Sequence, residues 1–455
     1  MRIRKLHGIN APHRKHTAYL PSERMAPPAE VVIPMSMHIG APAKLLVKVG
    51  DQVQVGQMIA EASGFLSAPI HASVSGKVKK LDEIISAAGR NMTAAVIASD
   101  GLQTPYEGIQ PPQVTNMQEF LDAVRDSGVV GLGGAGFPTS VKLNVKHLSQ
   151  VKAIIINGAE CEPYITSDTR TLLERADELW DGIALLQKYL EAKRVVIAIE
   201  DNKPKSIELH RKRCENATGV EVFSMPSMYP QGGEKMLVYN VLGEAIPEGK
   251  LPLDVGAIVI NCTTLASIAH YIKTGMPLVE KCVTVDGSAV QTPKNLIVPI
   301  GTHLQDVFDA CGGFRSEPLK VLYGGPMMGI AVPDLTVPIL KNTNAVLAFD
   351  EKDAKPWETT ACIKCGRCIA HCPMNLMATE IETAYNLKKP EDLEKLKVNL
   401  CIECGCCSYV CPAKRPLVQT NKLAKAMLQS YKKLQEEAKK AKEAQGQTDK
   451  EAPKK

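Results

Sequence analysis

The residues in this sequence best suited to chemistry are its cysteines. Nine of the 14 lie between Cys362 and Cys411, and eight of those nine form two blocks of one pattern. The first is Cys362-x-x-Cys365-x-x-Cys368-x-x-x-Cys372-Pro373, and the second is Cys401-x-x-Cys404-x-x-Cys407-x-x-x-Cys411-Pro412. Three closely spaced thiolates wrap one corner of an iron–sulfur cubane, while the fourth reaches to a different cluster. On that logic Cys362, Cys365, Cys368 and Cys411 hold one [4Fe–4S] cluster, and Cys401, Cys404, Cys407 and Cys372 hold a second. A pair of zinc knuckles is the competing reading. Zinc sites use paired C-x-x-C motifs or recruit histidine, and do not require a triple spacing with a trailing Cys-Pro, still less its repetition. Cys406 falls outside both sets. The five scattered cysteines are expected to behave as small buried hydrophobes. Such clustering indicates metal ligation in a reducing compartment, not a disulfide framework.

Clusters of this kind pass single electrons, so a source and a sink are needed elsewhere. Upstream, the apolar step Val129-Val130 leads into Gly131-Leu132-Gly133-Gly134-Ala135-Gly136-Phe137-Pro138-Thr139. A glycine cluster lets backbone N–H groups approach a phosphate or a flavin ring without obstruction. A tight structural turn would explain the glycines almost as well. The next segment shifts the balance. Ile154-Ile155-Ile156 reads as a buried strand that ends in Asn157-Gly158-Ala159-Glu160-Cys161-Glu162-Pro163, and acids at a strand's C-terminal end lie where α/β sheets bind ligands. An acidic helix N-cap is the alternative use of the same carboxylates.

The elements that position these groups read as several domains, as 455 residues require. Residues 1–110 contain a two-lobed β unit, with VKVGDQVQVGQMIAEA and SAPIHASVSGKV broken by Gly50-Asp51 and Gly56-Gln57. It resembles the barrel-sandwich fold of lipoyl and biotinyl carriers. The tip from Ala62 to Ser67 lacks their modifiable lysine, which implies a docking or scaffold role. Residues 115–275 alternate strands (153–157, 195–200, 220–223, 257–261) with helices (167–190, 234–242). That pattern predicts a largely parallel sheet covered on both faces. Residues 280–345 return to β segments around one helix, 304–311, and resemble a soluble-ligand-binding β-grasp (SLBB) domain. An α-helical two-cluster ferredoxin-like module occupies 355–425. A Lys-rich tail, 426–455, follows, with a helical pattern over 423–444 and a solvated end.

GLGGAGFPTSVKL followed by INGAECEPYITSDTR resembles the flavin and NADH site of the flavoprotein subunit of respiratory complex I. The resemblance implies that Gly133, Gly134, Gly136 and Lys142 surround FMN, with Asn157 on the flavin side and Phe137 by the nicotinamide. It places Glu160 and Glu162 near the nucleotide. It also implicates Glu234, in YPQGGE, and Asn261 with Thr263 or Thr264, in INCTTL. Leu132 and Ala159 depart from that family's Arg and Asp. The domain order as a whole is similar to the C component of the Rnf-type ion-translocating ferredoxin:NAD oxidoreductase. That resemblance implies two [4Fe–4S] clusters, FMN, NAD(H) as substrate, other membrane-complex subunits as partners and a ferredoxin-linked carrier indirectly. It implies a peripheral position on the cytoplasmic face of the membrane. A flavoprotein cobalamin reductase shares the layout, and a cluster-bearing adaptor without flavin is a third possibility.

Composition agrees with a soluble multidomain chain: 45% hydrophobic and 23% charged residues. Aromatics at 4% argue against an aromatic-stacking nucleic-acid surface, and the mild net charge of +5 suits an acidic partner, an anionic membrane surface or a solvated Lys-rich tail equally. No apolar run reaches the roughly 18 residues of a membrane span, and the basic N-terminus lacks the apolar stretch of a secretory signal.

Overall fold

The computed structural model describes residues 7–87 and 89–448, the last eight by backbone alone. The chain divides into two compact units, one from Asn10 to Lys355 and one from Pro356 onward, the latter with residues just before Asn10.

Within the first unit, the run Ile154-Ile155-Ile156 shows why a parallel sheet forms. Side chains alternate across a strand, so an unbroken apolar run needs cover on both faces. Ile154 and Ile156 pack with Leu172, Leu179 and Leu186 on one face, and Ile155 packs with Leu237 and Val238 on the other. The strands Val220–Met225, Val195–Glu200, Ala153–Gly158 and Ala257–Asn261 lie in that order, all parallel. The expected single helix over 167–190 is two, Ser167–Glu174 and Ala176–Tyr189. No Gly or Pro marks the break at Arg175, so it left no trace in the sequence pattern.

Two small sheets form the barrel-sandwich. One orders Glu30–Pro34, Asn91–Ser99, Gly76–Ile85 and Gln52–Val53; the other orders Lys44–Leu45, Met58–Glu61 and Ile70–His71. The β-grasp sheet has six strands, and its edge is the N-terminal segment Ser22–Arg24, parallel to Lys294–Pro299. At its other side Ala345–Phe349 pairs with both Glu280–Asp286 and Lys320–Tyr323. Residues 22–24 therefore belong with 280–349 in space, although the sequence pattern groups them with the barrel-sandwich. A two-residue-period segment carries no label for a partner in a distant part of the chain, so this pairing was not legible.

In the second unit the helices Arg367–Ala370 and Cys406–Tyr409 occupy equivalent places, each carrying the third cysteine of its triplet. The final helix runs from Leu417 to Thr448, longer than the pattern predicts. Its first half is packed: Ala424 and Leu428 are buried with Ile381 and Leu393, and Tyr431 donates to Glu391 at 2.6 Å.

Lys341 ties the first unit together. It is fully buried, and its ammonium donates to the carbonyls of Pro69 at 2.6 Å and Gly128 at 2.7 Å, so three domains meet on one group. Burial pushes its pKa down to about 7. A depressed lysine contributes stability that is complete above its unfolded pKa of about 10.4 and is lost as pH falls through the folded value. The melting temperature of the wild-type chain should therefore fall relative to Lys341→Met as pH drops from about 10 to about 6. Parallel melting curves at several pH values test this.

Candidate functional site

The glycine loop closes on itself through a bridge between Val130 and Pro138, and the Gly131 N–H donates to the Phe137 carbonyl at 2.8 Å. Its carbonyls are tied down from outside the α/β domain. Asn342 of the β-grasp domain donates to Gly134 O at 2.8 Å, and the Ile39 N–H of the barrel-sandwich donates to Gly136 O at 3.0 Å. Gly136 has φ +72°, a left-handed conformation that glycine adopts without strain. The N–H groups of Gly133, Gly134 and Ala135 make no hydrogen bond among the described residues, and all three residues are exposed. Consecutive N–H groups without an internal partner are available to a phosphate or other anion. A side chain on Gly133 would stand 2.5 Å from the Asn261 amide nitrogen, so this glycine is required by close approach. These features fit an FMN-type ligand.

Around the loop, Lys142 and Glu234 form an ion pair at 2.7 Å, both partly exposed. Phe137 is half-buried beside them in sequence, its backbone used in the loop closure. Asn157 donates to Gly232 O at 2.9 Å and accepts from the Ala159 N–H at 3.1 Å, so it shapes the turn after its strand. Asn261 accepts from the Thr264 N–H at 3.1 Å, capping helix Cys262–Thr274, and donates to Asp168 at 2.7 Å. The Thr263 hydroxyl is buried and donates to Asp168 at 2.6 Å, which turns it inward from the loop surface. Leu132 and Ala159 are both wholly buried in apolar clusters, so the two departures from the complex I motif are core positions.

The two acids are occupied by the protein. Glu160, at φ +52°, accepts the Asp168 N–H at 2.6 Å, the Thr169 N–H at 3.3 Å and the Thr169 hydroxyl at 2.6 Å, capping helix Ser167–Glu174. Burial raises its pKa, against the opposing charge of Lys15. Lys15 in turn donates to the carbonyls of Glu160, Glu162 and Ile165. Glu162 accepts the N–H groups of Met327 at 3.0 Å and Met328 at 2.9 Å, holding the β-grasp loop against the α/β domain. The sequence offered these carboxylates as nucleotide contacts or as an acidic helix N-cap; Glu160 serves as such a cap, and Glu162 anchors the backbone of the β-grasp loop. Asp168, Lys15 and Asn342 were not singled out from sequence. Lys15 and Asn342 reach the site only through long-range folding.

In the second unit the cysteine blocks share a backbone as well as a spacing. Lys364 and Glu403 take positive φ at equivalent positions, as do Gly366 with Gly405 and Asn375 with Lys414. Non-glycine residues seldom hold that conformation without a local demand. Backbone N–H groups of Lys364, Leu376 and Glu403 donate to the sulfurs of Cys362, Cys372 and Cys401 at 3.3 to 3.4 Å. The Asn421 amide adds a fourth such bond, to Cys401, at 3.5 Å. One cavity is lined by Cys372, Cys401, Cys404 and Cys407, the crossed set expected from spacing, with Cys406 on its wall. In the other set, the thiols of Cys411 and Cys362 are near enough to Cys368 to raise its pKa, though burial is the larger cause. Among the described residues no three Cys, His, Asp or Glu converge on one ion position. A cubane does not need that, because its thiolates bind separate irons. The donor set, soft thiolates in a pocket with N–H groups turned to sulfur, fits iron–sulfur clusters.

The fold and these sites define an electron-transfer flavoprotein with an iron–sulfur module. Family models agree domain by domain: a RnfC barrel sandwich hybrid domain over residues 4–102, a Nuo51 FMN-binding domain over 124–270, an SLBB domain over 282–331 and a 4Fe-4S dicluster domain over 357–412. The chain is 42% identical over 366 residues to the C component of the proton-translocating ferredoxin:NAD(+) oxidoreductase complex of Clostridium ljungdahlii, covering 80% of each chain. It is 42% identical to the C component of the Na(+)-translocating ferredoxin:NAD(+) oxidoreductase complex of Acetobacterium woodii, over 82% of this chain and 85% of that one. It is 40% identical to the C component of the ion-translocating oxidoreductase complex of Rhodobacter capsulatus, over 92% of this chain and 82% of the relative. The chain belongs to the RnfC family, the C components of ion-translocating oxidoreductase complexes. Its cofactors are FMN and two [4Fe–4S] clusters, and its partners are other subunits of such a complex. Among the described residues no helix is long and apolar enough to cross a membrane.

Burial pushes the Glu162 pKa up to about 7, and the bonds from Met327 and Met328 oppose the shift. A raised carboxyl contributes stability that is complete below its unfolded pKa of about 4.3 and is lost as pH rises through the folded value. Hydrogen-exchange protection at Met327 and Met328, corrected for intrinsic rates, should therefore decline from about pH 4.5 to about pH 7. The decline should be absent in Glu162→Gln.

Proposed function

We propose that this chain carries electrons between NAD(H) and a partner subunit at the cytoplasmic face of the membrane, as the RnfC-type component of an ion-translocating ferredoxin:NAD(+) oxidoreductase. The observation that carries the reading is the glycine loop, whose three free N–H groups and obligatory Gly133 suit a flavin phosphate or ring, on the same chain as two crossed cysteine sets. FMN supplies the conversion between two-electron hydride chemistry and the one-electron transfers of iron–sulfur clusters. In this reading Gly133, Gly134 and Gly136 present backbone to the flavin. Lys142, paired with Glu234, supplies positive charge beside it, and Asn157 and Asn261 shape its floor. Phe137 lies on the nicotinamide side. Glu160 and Glu162 act by fixing the backbone around the nucleotide. Cys362, Cys365, Cys368 and Cys411 hold one cluster; Cys372, Cys401, Cys404 and Cys407 hold the other. No proton-transferring side chain is required by hydride and electron transfer, and none is nominated.

The coupling ion differs between the relatives, proton in one and Na(+) in another. The names of all three relatives support an ion-translocating complex over a corrinoid acceptor. Co-purification with integral membrane subunits is the expected outcome; recovery with a cobalamin-processing assembly would overturn the assignment of partner.

Gly133→Val should abolish FMN retention while both cluster signals persist, because the added side chain meets an Asn261 amide that is itself held at both ends. Flavin analysis and EPR of the anaerobically reconstituted chain measure the two outcomes separately. Loss of the cluster signals together with flavin would mark the loop as structural. NADH should bleach the flavin absorbance of the wild-type chain.

A further inference from the structure

We infer that Asp168 is a positioning residue of the flavin site, holding the Asn261 side chain in place beneath the glycine loop. The inference rests on the reading of that loop as the FMN site. Asp168 sits in the first turn of helix Ser167–Glu174 and is 7% exposed. One carboxylate oxygen accepts from the Asn261 amide at 2.7 Å, and the other accepts from the Thr263 hydroxyl at 2.6 Å. Both donors point at an acceptor-only group, so the amide of Asn261 has a fixed sense: nitrogen toward Asp168, oxygen toward the Thr264 N–H at 3.1 Å. That orientation puts the amide nitrogen under Gly133, where a Cβ would stand 2.5 Å away. The neighbouring residue of the loop is tied to the same place, since the Leu132 N–H donates to the Thr264 hydroxyl at 3.0 Å.

The interior also provides for the charge of Asp168. Lys281 is 2% exposed, and its ammonium has no hydrogen-bond partner among the described residues. Burial lowers its pKa, and the Asp168 charge is the chief influence opposing that shift. A buried carboxylate that accepts two such hydrogen bonds is a strong orienting group. An amide of the same shape removes the charge and keeps a single acceptor oxygen, so it either sets a donor against the Asn261 nitrogen or turns its NH2 to the Thr263 hydroxyl, and one of the two bonds is broken or weakened.

The test uses the full chain, anaerobically reconstituted with both clusters, and titrates FMN by fluorescence quenching. Asp168→Asn should bind FMN about tenfold more weakly, the scale of one lost hydrogen bond to a charged group. Melting temperature and cluster EPR serve as controls for folding. The exchanged pair Asp168→Asn with Asn261→Asp restores donor to acceptor, and should recover most of the lost affinity. A merely structural role would lower the melting temperature without this recovery. Should Asp168→Asn not fold, Asp168→Glu is read instead; it keeps the charge, displaces Asn261 by its extra methylene, and should also weaken FMN. Wild-type FMN affinity in the folded single variant, or an exchanged pair no better than either single change, overturns the positioning role. Absence of FMN binding in the wild-type chain overturns the site reading itself, which is a different result.

Discussion

A loop that offers free N–H groups to a ligand must not satisfy them internally, and this requirement organises the first unit. Within the segment from Gly131 to Phe137 only the Gly131 N–H is used internally, on the Phe137 carbonyl, among the described residues. Two other carbonyls are claimed by two other domains, through Asn342 on Gly134 and Ile39 on Gly136. The barrel-sandwich and β-grasp domains thus act on the α/β domain's ligand loop directly. Lys341, one residue before Asn342, fastens the same three domains with a single ammonium.

The buried polar groups near the loop follow a consistent logic. Four of them place a formal charge where a backbone or side chain needs fixing, and each of the four has specific partners. Glu160 caps a helix, Glu162 holds a loop, Lys15 gathers three carbonyls, and Asp168 fixes Asn261 and Thr263. A buried charge left unpaired costs several kcal/mol, so such groups persist only where their partners are supplied by folding. They are concentrated around a site that must stay open and rigid at once. The iron–sulfur unit shows the same principle on a smaller scale, with backbone N–H groups of the cysteine loops turned to sulfur and positive φ values repeated in both halves.

Recognition of the family required no structure, because its motifs are local. The cysteine spacing, the glycine loop and the strand at 154–156 are each encoded in about a dozen consecutive residues or fewer. Helix and sheet periodicity likewise located the four parallel strands within a residue or two. The break at Arg175 escaped because apolar periodicity runs through it without Gly or Pro. The strand Ser22–Arg24 escaped because edge pairing with a distant strand has no local signature.

What the sequence determined by itself, then, is the set of chemical groups that covalent spacing can bring together: two cubane ligand sets and a glycine loop beside an acid-tipped strand. The tertiary structure decided how those groups are employed. It gave Glu160 and Glu162 backbone N–H groups to hold, buried Leu132 and Ala159 in different apolar clusters, set Asn342 on the glycine loop and Asp168 on Asn261 beneath it, and brought Lys15 to the carbonyls of Glu160 and Glu162. The reason is physical. A carboxylate's role depends on which N–H groups reach it, and those donors come here from residues between 8 and 166 positions away, at distances that sequence spacing does not constrain.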